Sequence, residues 1–481
     1  VMRHAYHGKK VLVMGLGILG GGVAATKWFL ERGALVTVTD LRSRRELASS
    51  IQALGKQTRN LRFVLGKHDT RDFRTHDLIV VNPAVPRESP FLKIAQKAGK
   101  RIKNDASLFF DEVRNPVVAV TGTRGKTTTA AWIAHFLGVR AGGNSSSDLP
   151  LLKLLDRLKP GKPTVVELSS WQLERVVECR RGPDVAVITN LYRDHLNRYR
   201  GMADYARAKA NIFKQQTRNQ KLILNAGNAW APFFLKQRPR ARVYFFSLLP
   251  LPAGRDGIFV DRRTIVFREC GRTRRVISPG AYRKLEVWGT HNVENVLVAL
   301  LAARLAGVPW GVLLRRVRAL PQIPLRQEII LRRRNFTVVN DSAGTSPDAT
   351  IAALERFSNS PATCGRIVLI TGGTDKNLSF RKLARTVVRL IPPRNLFLLA
   401  GSATAALTRE LKRIGYFRTD RARTFGTLPA MLRAIRTKLK TEDRTLKTIV
   451  LFSPGAASFE KFRNEFDRGE RFTLHSKQFL R

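Results

Sequence analysis

Runs of consecutive apolar or β-branched residues recur along the chain at 11–14, 35–39, 117–120, 164–166, 185–189 and 367–371. Runs this short and this uniform mark strands buried on both faces, as in a parallel sheet, rather than half-exposed strands that alternate. The first run leads through a glycine cluster into a helical pattern lasting to about Arg32, and the second run follows, which reads as β-α-β. The alternation restarts at 117, with a helix near 127–137, and again at 367. A doubly wound α/β fold is therefore expected, built as three α/β units. Pro116 marks the first boundary and the proline-punctuated stretch 320–325 the second, because proline stops a helix and stiffens a connector. The expected domains are 1–115, 116–323 and 324–481.

Composition narrows the class. The chain has 481 residues, 43% of them hydrophobic and 25% charged, which is globular and far too long for a disulfide-stapled miniprotein. Cys179, Cys270 and Cys364 lie far apart with no CxxC spacing, which excludes a disulfide framework and a zinc ribbon. The opening VMRHAYHGKK has no apolar core of a signal segment, and the most membrane-like stretch, 296–314, is broken by Arg304 and Pro309. A cytoplasmic, soluble monomer without membrane insertion is expected. The anomaly is a formal net charge of +50, a field that attracts polyanions such as nucleotides, RNA or anionic surfaces without choosing among them. No aromatic-rich RNA motif accompanies it, so nucleic acid is not the expected partner.

Polar motifs follow several of the predicted strands. Gly15-Leu16-Gly17 and Gly20 form GxGxxG after the first, and Asp40 ends the next, with Arg42 just beyond. Glycines there let a pyrophosphate approach a helix N-terminus, or only permit a tight turn. Gly122-Thr123-Arg124-Gly125-Lys126-Thr127, followed by Thr128, leaves a strand and opens a helix. That context fits a loop whose lysine meets the β/γ phosphates and whose hydroxyl meets Mg²⁺, although Val120 breaks the full Walker pattern. Glu167 ends one apolar run and His195 follows another, at the strand ends where open α/β sheets bind ligands. Glu167 and Thr127 suit an oxygen-preferring cation. His195 taken alone reads as an ordinary loop histidine, and Lys209 alone as a solvated charge. His291, Asn292 and Asn295 open an apolar helix, as caps or as base-recognising groups. In the last third, polar loops follow strands at 340–345, 372–376 and 453–458.

In order, GLGILG, VTGTRGKTTTA, GGN at 142–144, ELSSWQLE, ITNLYRDHLNRY, ARAKANIF, GTHNVEN, NDSAGTSPDAT, GGTDKN and SPGAASFEKFRNEFDRG resemble the Mur ligase family over nearly the whole chain. ELSS-aromatic-QL and DHL-x-RY point to the members that add D-glutamate to UDP-N-acetylmuramoyl-L-alanine. The resemblance implies a Rossmann-like N-terminal domain for the UDP-sugar, a central P-loop ATPase domain, and a Rossmann-like C-terminal domain for the amino acid. It implies ATP and Mg²⁺ as cofactors and an acyl-phosphate route to the amide. By resemblance, Gly15 to Gly20 approach the diphosphate and Arg42 the uracil. Lys126 meets the γ-phosphate, Thr127 and Glu167 one Mg²⁺, and His195 a second. Lys209 matches a lysine carried as a carbamate, which would make it a metal ligand. Asn144 and His195 flank the reacting carboxylate. Asn295 and Arg326 match nucleotide contacts, Thr345, Lys376 and Ser458 the D-glutamate pocket, and Phe466 an aromatic lid.

Two departures bear on the chemistry. Arg124 stands where the family usually has asparagine, and Ala343 where it has lysine. Ala343 keeps open another amino-acid specificity within the family. A basic, catalytically impaired homologue that binds nucleic acid, and a nicotinamide oxidoreductase resting on GxGxxG alone, are the readings from other classes. The second leaves Lys126, Glu167 and His195 unused.

Overall fold

The computed structural model describes residues 5–18, 20–55, 59–143, 149–358, 366–417, 422–441 and 447–480. Among them the strands form three sheets. The first is all parallel, in the order β3-β2-β1-β4-β5, from β1 (Lys10–Met14), β2 (Leu35–Asp40), β3 (Leu61–Leu65), β4 (Leu78–Val81) and β5 (Arg101–Lys103). The second contains β6 (Val117–Thr121), β7 (Ala141–Gly143), β8 (Thr164–Glu167), β9 (Val185–Ile188), β10 (Lys221–Asn225) and β11 (Arg242–Ser247), all parallel. It continues into β12 (Gly257–Asp261), then antiparallel through β13 (Thr264–Glu269) to β14 (Arg272–Ile277), giving the order β14-β13-β12-β11-β10-β9-β6-β8-β7. On the edge strand β14, Arg272, Arg274 and Arg275 are exposed. The third contains β15 (Glu328–Arg332), β16 (Phe336–Asn340), β17 (Arg366–Thr371), β18 (Leu396–Leu399), β19 (Arg423–Phe425) and β20 (Thr448–Phe452), in the order β15-β16-β20-β17-β18-β19. Only β15 runs antiparallel there.

Apolar runs become central strands because both faces of each sheet are covered. Val11 and Val13 join one core while their neighbours Leu12 and Met14 join another. Ile449 and Leu451 likewise part from Val450 and Phe452. With a side-chain period of two, a strand between two helical layers must be apolar at every position. The described chain divides into two compact units, Val1–Tyr282 with Glu294–Leu320, and Arg283–Val293 with Pro321–Arg481. In the first unit, Val11, Trp28 and Phe29 share one core with Phe109, Val117 and Leu152, so apolar packing continues past residue 115. The second unit takes in Arg283–Val293 because Arg356 and Gln327 hold that stretch. The Arg356 guanidinium donates to the Val287 carbonyl (3.1 Å) and lies over the Trp288 ring, and Gln327 meets His291 at 3.2 Å. Cys179 is buried and Cys270 exposed, while Cys364 lies outside the described residues. No helix among the described residues is long and apolar enough to cross a membrane.

Beyond β16 and β20 the loops are tied by buried polar groups. Arg468, in helix Glu465–Phe479, is fully buried, donating to the carbonyls of Ala456 (3.0 Å), Ala457 (2.9 Å) and Ser342 (2.8 Å) and to Ser342 Oγ (3.1 Å). Asp341 accepts from Ser453 Oγ (2.7 Å) and the Gln327 N–H (3.1 Å). Burial outweighs those bonds and the Arg326 and Arg356 charges, and pushes the Asp341 carboxyl up from 3.8 to about 7. Below about pH 4 both the folded and unfolded chains hold this proton, and there is no penalty. Between pH 4 and 7 the unfolded chain loses it first, so the folded state is progressively disfavoured, and the penalty is complete above pH 7. Asp341→Asn removes the titration. Urea midpoints measured from pH 4 to 8 should show the variant gaining on the parent as pH rises, by up to about 4 kcal/mol. Parallel profiles would contradict a buried protonated carboxyl.

Candidate active site

In the second sheet β6 lies between β8 and β9, so the chain leaves neighbouring strands in different directions and a crevice opens at their C-terminal ends. The loop after β6 enters this crevice. Gly122 has φ 152°, and a Cβ there would lie 1.9 Å from Thr189 Oγ1. Gly125 has φ 77°, caps helix Lys126–Leu137, and would bring a Cβ within 2.4 Å of Asn295 Oδ1. Side chains at either position would push these neighbours away, which is why the loop needs glycine there. Two residues ending the β9 run clamp it. Asn190 accepts the Arg124 N–H (2.9 Å) and donates to the Arg124 carbonyl (3.1 Å), which also accepts from Thr189 Oγ1 (2.7 Å). The helix that follows presents its N-terminus here, where the dipole favours an anion. Thr123, Thr127 and Thr128 are buried at this turn, Lys126 Nζ donates to the Thr123 carbonyl (3.1 Å), and Asn295 accepts from Thr129 Oγ1 (3.2 Å).

Lys209 comes from helix Met202–Lys214 and is 1% exposed, its Nζ donating to the Gly122 carbonyl (2.8 Å) and lying over the Tyr205 ring (4.8 Å). Burial and the adjacent Lys126 charge push its amine well below the ordinary lysine value, while Asp194 and Glu167 pull the other way. Lys126, Glu167 and Asp194 thus lie within electrostatic reach of Lys209. Glu167 is 2% exposed, and its Oε2 is buried without a hydrogen-bond partner. Leaving a carboxylate oxygen dry is costly unless a ligand or cation completes it. His195 has φ 54°, with its ring 5.5 Å from Trp171 and 5.8 Å from Tyr205. Asn144 lies outside the described residues.

The His195 loop is tied to the first sheet. Glu174, at the end of ELSSWQLE, accepts two bonds from Arg198 (3.0 and 2.8 Å) and one from Tyr199 (2.9 Å). Arg198 also donates to the carbonyls of Ala84 and Val85, just past β4, and lies over Trp171. In the first sheet the glycine loop follows β1, which lies between β2 and β4. The Asp40 carboxylate is spent inside the loop, accepting the N–H groups of Gly17 (3.1 Å) and Arg42 (3.0 Å), so it shapes the turn, while the Arg42 side chain is exposed. Gly20 has open space around it. The close helix-to-loop packing falls on Gly22, where a Cβ would meet the Leu16 carbonyl at 2.3 Å.

In the second unit β16, β20 and β17 are neighbours, which gathers the loops at 340–345, 453–458 and 372–376. Lys376 Nζ meets Thr345 Oγ1 at 3.5 Å, and Ser458 Oγ is buried without a hydrogen-bond partner. The Ala343 N–H is held by the Leu325 carbonyl (3.0 Å). Arg326 is bracketed by Leu325 (φ 60°) and Gln327 (φ 50°), two non-glycine residues in the left-handed region, a strain that clusters at functional positions. Phe466 is half-buried in the first turn of its helix, its N–H bonded to Asn464 Oδ1. Asn190, Asp194, Glu174, Arg198 and Arg468 were not among the expected residues. Asn190 had a readable signal, since it closes the apolar run at 185–189 as Glu167 closes its own.

Comparison with known proteins gives relatives of the whole chain and of its fold. Residues 120–303 match the Mur ligase middle domain and residues 9–104 the MurD-like N-terminal domain. A UDP-N-acetylmuramoylalanine–D-glutamate ligase of Roseiflexus sp. (strain RS-1) is 36% identical, covering 97% of both chains. The protein of the same name from Borreliella burgdorferi is 34% identical, covering 96% of both. Among solved structures, the UDP-N-acetylmuramate-alanine ligase MurC of Thermotoga maritima has the same fold, with a TM-score of 0.57 at 20% identity, covering 98% of this chain and 99% of that one. With two family models matched and a relative 36% identical over 97% of its length, the chain belongs to the Mur ligase family.

Proposed function

We infer that this chain joins D-glutamate to UDP-N-acetylmuramoyl-L-alanine at the expense of ATP, a step of peptidoglycan synthesis. One conjunction carries the reading: a triphosphate-cradling loop beside a depressed lysine and an unpartnered carboxylate, in a chain aligned over 97% of its length with a ligase of that name. The enzyme acts in the cytoplasm as a monomer and needs neither membrane nor nucleic acid.

A carboxylate is inert to amines at neutral pH, so the γ-phosphoryl is first transferred to the alanyl carboxylate. The amine of D-glutamate attacks the resulting acyl phosphate, the amide forms and phosphate leaves. No protein nucleophile is needed. Charge stabilisation supplies the catalysis, through Lys126 and the N–H groups that open its helix, held rigid by Asn190 and Thr189. Asn295 and Arg326 contact the nucleotide. Asn144 and His195 flank the carboxylate, and Gly15, Leu16, Gly17, Gly20 and Arg42 receive the UDP moiety, with Asp40 shaping their turn. Thr345, Lys376 and Ser458 receive the amino acid, and Phe466 covers it.

The residues fit Mg²⁺. No group of three or more His, Cys, Asp or Glu among the described residues could hold an ion alone, so phosphate oxygens and water would complete a shell begun by Thr127 and the dry Glu167 oxygen. His195 would help to hold a second ion. When bound, Mg²⁺ neutralises charge on the phosphates. Lys209, once its ammonium has lost a proton, attacks CO₂ through the amine nitrogen, forming an N–C bond and releasing an N–H proton to water, which leaves a carbamate anion able to bind metal. Burial and Lys126 favour that neutral amine.

Phosphate release with UDP-N-acetylmuramoyl-L-alanine, Mg²⁺ and ATP should require D-glutamate. Equal turnover with other amino acids, or with none, would overturn the assignment. Lys126→Ala should lose transition-state stabilisation of roughly 3 kcal/mol or more in kcat/KM, by analogy with removed oxyanion donors. With isotope-labelled bicarbonate, the parent should show a carbamate carbon resonance that Lys209→Ala lacks; the same signal in both proteins would remove the modification from Lys209.

A further inference from the structure

Helix Ser402–Arg413 follows β18, the neighbour of β17, and starts without a cap of its own: its N-cap is Gly401 and its first turn holds no acidic residue. The acceptor comes from another loop. Glu460 accepts the Ser402 N–H (3.1 Å) and the Ser402 hydroxyl. A carboxylate suits this place, because its bonds to a helix N-terminus are charge-assisted and the helix dipole favours an anion.

The same contact holds the loop between them. The Asp375 N–H donates to Ser402 Oγ (2.9 Å), the Ala403 N–H to the Gly373 carbonyl (2.8 Å), and the Glu460 N–H to Thr374 Oγ1 (3.0 Å). Thr374 and Ala457 exchange both backbone bonds (2.9 and 3.0 Å). Residues 373–375 are thus gripped from the helix on one side and from 457–460 on the other. Lys376 is the next residue along, and Ser458, with its dry hydroxyl, stands two residues before Glu460.

We propose that Glu460 is a positioning residue for the amino acid, its carboxylate locking the Ser458 loop and the Lys376 loop to one helix N-terminus. This rests on the reading that Lys376 and Ser458 receive D-glutamate. Glu460 is exposed, so it adds little to the stability of the fold. Its effect lies in the spacing of two groups that must grip one small ligand, where displacements near 1 Å are felt strongly.

The test is steady-state kinetics on the full chain with Glu460→Gln, Ser402→Ala and Lys376→Ala. Glu460→Gln and Ser402→Ala should each raise the KM for D-glutamate about tenfold, the scale of one charge-assisted hydrogen bond. The KM for ATP and for the UDP-sugar should stay within about twofold, and Tm within about 3 °C. An unchanged KM for D-glutamate in Glu460→Gln, with a raised one in Lys376→Ala, would overturn the proposal and leave the amino-acid site standing. No change in any variant would overturn both. Three KM values rising together with a falling Tm would reduce Glu460 to a structural residue and overturn the proposal as well.

Discussion

Two lysine amines meet at the loop after β6, and the repulsion between them constrains the charges gathered around that loop. Lys126 and Lys209 each lean on a loop carbonyl, Thr123 and Gly122 respectively, and Lys209 is almost wholly out of water. A buried cation beside another cation is unstable as such. It is relieved by giving up its proton, by nearby acids such as Glu167 and Asp194, or by an anionic ligand.

Strand order does the rest of the gathering. In the first two sheets a glycine-bearing loop leaves a strand flanked by two others, β1 between β2 and β4 and β6 between β8 and β9, and the neighbouring strand ends supply the groups that fix it. Asp40 performs this service for the first loop, and Thr189 with Asn190 for the second. In the third sheet β17, between β20 and β18, likewise runs into a glycine pair, Gly372 and Gly373, and the loops around it are joined by the buried Arg468 and by Glu460.

What was legible in the sequence follows from this. Strands buried on both faces betray themselves as apolar runs, and the polar residue ending each run, such as Glu167, lands in the crevice. Long-range pairing leaves no such trace. Glu174, Arg198 and Arg468 all stand inside motifs that the chain displays, but that Glu174 pairs with Arg198 and that Arg468 is buried appear only in the fold. Asp40 has the spacing of a ribose-binding acid, but spacing does not reveal that both its oxygens turn inward. The extension β12–β14 was not foreseen either, since its last strand carries more arginine than apolar residues.

That last strand gives part of the positive excess a physical meaning. An outermost strand offers a row of unused backbone donors and acceptors to any passing strand. Here the row is fringed by Arg272, Arg274 and Arg275, so a second molecule adding edge to edge would bring guanidinium groups against their own kind. The penalty is electrostatic and fades as ions accumulate. In dilute buffer this edge therefore resists pairing with a copy of itself, and added salt weakens that resistance.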